Sequence, residues 1–148
     1  MSKGMGKKFE SIVYEAFKAV PDVSIDRIPD QTMHYKGRAN VSDFIVFRQP
    51  YQFYVECKTV HGNTLPLSNI TQFDDLYEKS KIIGVKAGVL CWWIDKDVTA
   101  WIPIESLFVV KSSGEKSVRY DHWSVRYIRG RKKKVYFDYD MYSFFLLF

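Results

Sequence analysis

The 148-residue chain has two cysteines, Cys57 and Cys91, and three histidines. Two cysteines exclude a disulfide framework, and each sits in an apolar run, as a buried small hydrophobe does. His34 has no histidine or cysteine at metal-ligand spacing, so a zinc site is not expected. No stretch approaches the ~18 continuous apolar residues of a membrane-spanning helix, and the closing SFFLLF is too short for one. The opening MSKGMGKKFE is positive but lacks the apolar centre of a signal peptide. There is no internal repeat and no low-complexity linker. The expectation is a soluble cytoplasmic protein forming one domain over 1–148, with a core over about 4–110 and a basic, aromatic segment over 111–148.

Against these scarcities stand 47% hydrophobic and 17% aromatic residues, enough for a packed core. Lys plus Arg number 22 and Asp plus Glu 17, a net charge of +5. The surplus fits a polyanionic partner if some acids are gathered at one site; it fits plain solubility equally well.

The chemistry concentrates in Ser42–Thr59, SDFIVFRQPYQFYVECKT. Two apolar strand-like runs, Val41–Phe47 and Phe53–Val60, flank a turn centred on Gln49-Pro50-Tyr51, yet they carry Asp43, Glu56 and Lys58. A charge in an apolar strand needs a partner or a metal. Alternation puts Glu56 and Lys58 on one face, with Val55 and Cys57 on the other. A hairpin would bring Asp43 near Glu56. Two carboxylates and a lysine there form a candidate magnesium site for phosphodiester cleavage.

Around this hairpin the periodicity predicts a helix over Gly4–Val20 with Phe9, Ile12, Val13, Ala16, Phe17 and Val20 as its buried stripe. Glu10 borders that stripe, either as a solvated first-turn acid or as a site residue. A short strand follows over Val23–Ile28, then the polar segment Pro29–Asn40. Arg27, Lys36 and Arg38 are there to contact phosphates or simply to face water. Leu65-Pro66-Leu67 is extended, and Ser68 or Asn69 caps a helix over Ile70–Ile83 with Gln72 in its first turn. Val85–Ile94 reads as a strand covered on both faces, and Val98–Ile102 as the next. Ile104–Val109 is a strand or a helical turn. Arg129, Gly130, Arg131, Lys132, Lys133 and Lys134 form the densest basic run, at a hairpin turn near Arg126 and several tyrosines. That composition suits nucleic acid, a localisation signal or a solvated turn. The apolar end packs on the core or on a second subunit. The element order predicts an α/β fold with a mixed central sheet flanked by helices.

An Asp followed by Glu-x-Lys is a weak pattern alone. Set after a helix bearing Glu10 and before one bearing Gln72, it resembles the PD-(D/E)xK nuclease core, with Ser42 where the signature has Pro. GKKFE, SDFIVF, FYVECKT and TLPLSNITQFDDL, in that order, resemble the RecU-type Holliday junction resolvases, especially phage-encoded members, over roughly Gly4–Pro103. Family members have a stalk before the catalytic Asp; Ile28–Asn40 here is shorter.

The resemblance implies a restriction-endonuclease-like core and a homodimer that nicks four-way DNA junctions in symmetric pairs, in the host cytoplasm for a phage protein. It implies Mg²⁺, with Mn²⁺ as a substitute. Asp43, Glu56 and the backbone carbonyl of Cys57 would hold the ion, Lys58 would orient the water and offset phosphoryl charge, and Glu10 and Gln72 would assist. A nuclease of the same superfamily acting on duplex DNA, of restriction or recombination type, keeps the same residues. A catalytically silent DNA-binding module keeps only the fold.

Overall fold

The computed structural model describes residues 2–29, 40–132 and 137–148. Helix α1 (Ser2–Lys18) buries Phe9, Val13, Ala16 and Phe17 along one stripe, as the spacing predicts. Strand β1 (Ser24–Arg27) pairs antiparallel with β2 (Phe44–Arg48), and β2 turns through Gln49-Pro50 into β3 (Tyr51–Val60). The expected hairpin is therefore present.

Strand β4 (Thr64–Pro66) is followed by a 3₁₀ turn over Leu67–Asn69 and helix α2 (Phe73–Ser80). The expected single helix over Ile70–Ile83 is corrected here. Neither Ser68 nor Asn69 caps it; the N-cap position is Gln72, with no side-chain cap bond. The Ile70 amide instead closes the 3₁₀ turn on the Leu67 carbonyl at 3.0 Å, so Ile70 is buried from a turn. At the other end Gly84, at φ 86°, lets the chain reverse, and Ile82 and Ile83 stand exposed.

Strand β5 (Val85–Trp93) runs parallel to β3, and β6 (Val98–Pro103) runs antiparallel to β5. Ile104–Ser112 is helix α3, longer than the strand or single turn expected from Ile104–Val109. Three short strands follow: β7 (Ser117–Arg119), β8 (Arg126–Tyr127) and β9 (Gly130–Lys132). Strand β10 (Phe137–Tyr139) and the single-turn helix α4 (Tyr142–Phe145) end the chain.

The main sheet has the order β1-β2-β3-β5-β6-β8, while β4 pairs with β7 and β9 with β10. Among the described pairings β3–β5 is the parallel one. Two apolar layers cover the sheet. On one face α1 and α4 pack on Phe44, Val46, Phe53, Val55, Leu90 and Trp101. On the other, α2 and α3 pack on Val89, Cys91, Trp93, Ala100 and Ile102. This is the expected α/β architecture, a mixed central sheet flanked by helices. The apolar end packs on this chain's own core, where Phe144 meets Phe17, Phe53 and Trp101 edge-on at 5.1–5.3 Å between ring centres. Among the described residues no helix is long and apolar enough to cross a membrane.

Candidate active site

The register of the β2–β3 hairpin positions the acids. Phe44 lies opposite Val55, so one residue earlier Asp43 faces Glu56 across the ladder, and both lie on the α2 and α3 side of the sheet. The Asp43 amide donates to the Val55 carbonyl at 3.1 Å, extending the ladder to that position. Asp43 Oδ2 accepts from the Cys57 amide at 2.8 Å. Just ahead, the buried Ser42 hydroxyl donates to the Phe44 carbonyl at 2.9 Å and fixes the chain entering β2. The sequence marked Ser42 only as a departure from Pro; its hydroxyl does a local ordering task there.

Glu56 is 3% exposed. Its Oε2 lies 3.3 Å from Lys58 Nζ, while Oε1 is buried without a hydrogen-bond partner. Burial, then the charge of Asp43, pushes the Glu56 carboxyl up to about 8, and the neighbouring ammonium of Lys58 does not offset them. An acid so placed lacks positive charge. Lys58 is partly exposed at the mouth of the site. Burial, followed by the same acids, pushes the Cys57 thiol well up, which leaves it a neutral packing group.

Glu10 comes from α1 and contributes the weakest of the charges felt by Glu56. Its Oε1 accepts from Arg27 Nη2 at 3.2 Å, so Arg27, half exposed, is engaged with an acid. The Gln72 amide oxygen accepts from the Thr71 hydroxyl at 3.0 Å. Among the described residues Gln72 makes no hydrogen bond to Asp43, Glu56 or Lys58. Thus Asp43, Glu56 and Lys58 converge, Glu10 lies at their margin, and Gln72 is turned to its neighbour. Lys36, Arg38, Lys133 and Lys134, and the lone His34, lie outside the described residues. Arg131 and Lys132 fall in β9. Arg129 is exposed, with its amide donating to Ser143 Oγ at 3.3 Å. The β9–β10 hairpin is rooted on the α1 side, where Tyr139 packs against Phe9.

Among the described residues no three His, Cys, Asp or Glu side chains form a ready cation cage. Two carboxylates with an orphaned oxygen nonetheless fit a hard divalent cation that keeps several waters, as Mg²⁺ does. Asp43 and Glu56 would hold it, with the Cys57 carbonyl beside them.

No family model matches the chain, and no curated protein sequence does. Solved structures do. The fold matches that of Hjc, a Holliday junction resolvase from the archaeal hyperthermophile Archaeoglobus fulgidus, with a TM-score of 0.51 at 18% identity. The match covers 68% of this chain and 78% of that one. The two share the mixed sheet flanked by helices.

Proposed function

We propose that this chain is a divalent-metal-dependent endonuclease that resolves four-way DNA junctions. The observation carrying the reading is the Asp43–Glu56–Lys58 cluster, gathered round the buried Glu56, on a hairpin of a fold shared with a junction resolvase. Asp43 and Glu56 hold the cation. When bound, Mg²⁺ or Mn²⁺ supplies Lewis acidity toward a phosphoryl oxygen and a more acidic water. Lys58, at the open edge, orients the attacking water and offsets charge growing on the phosphate. An ammonium needs no proton transfer for that role. Glu10 tunes the field at the margin, tied back by Arg27.

The ordered segments that resemble the RecU-type resolvases, including their phage-encoded members, support the junction as substrate, and so does the Hjc likeness. Paired symmetric nicks require two sites, hence a homodimer acting on DNA in the cytoplasm.

The test is cleavage of an immobile four-way junction, a linear duplex of the same sequence and single strands, with Mg²⁺ and then with EDTA. The expected result is junction cleavage at symmetric positions, abolished by EDTA. Asp43→Ala and Glu56→Ala lower the rate by about 100-fold or more, since even outer partners of a metal site cost about 10–100-fold, while junction binding in EDTA persists. Full activity of Glu56→Ala would refute the site. Preferred cleavage of linear duplex would keep the site and replace the substrate.

A further inference from the structure

Three of the four tryptophans, Trp92, Trp93 and Trp101, are buried. Trp123 is 58% exposed and Tyr127 56% exposed. Both are fixed in place. The His122 ring lies 5.1 Å from that of Trp123. His122 is itself held at both nitrogens, Nδ1 at 2.8 Å from Ser124 Oγ and Nε2 at 3.4 Å from Glu115. Arg126 Nη1 donates to the Trp123 carbonyl at 3.0 Å, and the Tyr127 hydroxyl donates to the Tyr120 carbonyl at 3.1 Å.

The position of Tyr127 relates it to the carboxylate cluster. Across the sheet Lys58 pairs with Cys91, Cys91 with Ala100, and Ala100 with Tyr127. Residues paired in this way share a face, so Tyr127 stands on the same face as Lys58, three strand spacings or about 14 Å away. The segment is also stitched to the chain just downstream of Lys58. Arg119 pairs with Thr64, and the Tyr120 amide donates to the Asn63 carbonyl at 3.0 Å.

The charge here is cationic. From Lys116 to Arg129 the chain carries Lys116, Arg119, Arg126 and Arg129 against one acid, Asp121. Asp121 is paired with Arg119 at 2.8 Å, and Glu115 faces His122. Arg126, paired with Trp101, is exposed on the opposite face of β8 from Tyr127. Exposed rings set among cationic side chains suit the stacking of bases and the neutralising of phosphates.

We infer that Trp123 and Tyr127 form a stacking platform for unpaired bases of a DNA strand, with Arg119, beside Tyr120, meeting its phosphates. This rests on the reading of the chain as a DNA endonuclease. Every base has a face to stack, so the platform is indifferent to sequence. Bases inside an intact duplex are already stacked, so it selects opened or branched DNA.

Trp123 supplies its own reporter, because it is the exposed tryptophan. The full chain in EDTA is titrated with a short single-stranded thymidine oligonucleotide and with a blunt duplex of equal length. The single strand is expected to quench the acrylamide-accessible emission and shield it from acrylamide; the duplex leaves it accessible. Trp123→Ala weakens single-strand binding about fivefold or more, with duplex binding changed less than about twofold, and Trp123→Phe restores most of the loss. An emission that does not respond to the single strand overturns the platform, and so does an equal loss for both DNAs. The titration needs no metal. A responding Trp123 in a chain that cuts no DNA counts against the nuclease alone; junction cutting with a silent Trp123 counts against the platform alone.

Discussion

Glu56 must be buried and charged at once, and its neighbours decide how far that is met. Burial and Asp43 win over Lys58, so without a cation the carboxyl holds its proton to about pH 8 rather than the ordinary 4.5. A folded-state value raised above the unfolded one stabilises fully below the unfolded value and loses that contribution as pH rises through the folded one. The metal-free protein therefore loses stability from this group between about pH 4.5 and 8. Glu56→Gln, which keeps the shape without the proton, should flatten that fall. Melting curves in EDTA across this range check it; parallel pH profiles for variant and parent would contradict it. Mg²⁺ at pH 8 should raise the melting temperature of the parent and leave Glu56→Gln nearly unmoved. These three residues were legible because strand alternation is a short-range rule: a charge at every second place of an apolar run announces itself. Gln72 was not, because its role depends on where a helix begins, and that is set by the 3₁₀ turn and by β4 pairing with β7.

The elements divide according to how much of their pattern lies within themselves. Helix α1 and strands β2, β3, β5 and β6 carry enough residues for a period to show. Helix α3 does not: IESLFVVKS is apolar nearly all round, with Leu107 and Val110 buried but Phe108 and Val109 exposed, and Phe108 stacked on Tyr77 at 4.2 Å. The strands after it have two or three residues, too few for any alternation, and β7 follows what reads as a plain turn. Helix α4 is a single turn whose conformation depends on the core it fills. There Phe144 is fully buried among rings from α1, β3 and β6. Phe144→Ala should cost about 3–5 kcal/mol, read by denaturant unfolding. A loss below about 1 kcal/mol would mean that the end of the chain is an appendage. Gly88 is the opposite case. A Cβ there would run into the Ile102 carbonyl and the Trp101 ring, so the strand interior takes the one residue without one.

At the scale of the molecule the sheet separates its tasks. One face is packed by α1 and α4; the other, under α2 and α3, carries Glu56 and Lys58 at β3 and the exposed Tyr127 at β8. Since Phe144 and Phe145 of α4 are buried in this chain's own core, a dimer cannot use those two rings. Light scattering at micromolar concentration should give twice the 17.4 kDa chain mass, and a monomer there would remove paired nicking. The β2–β3 hairpin joins through two residues, whereas β5 must wait for residues 61–84 to cross over before it can lie parallel to β3. Local pairing precedes distant pairing in a folding chain. A hairpin-first order would bring Asp43 and Glu56 together while water still screens them, and would bury Glu56 when β5 docks beside it at Val89. Refolding kinetics should show it: Val46→Ala in the hairpin slows folding, whereas Ile102→Ala on β6 chiefly hastens unfolding. The reverse pattern would place the docking of β5 first. On this order the carboxylates are assembled as an open pair and closed afterwards, so the late step of folding is also the one that takes Glu56 out of water.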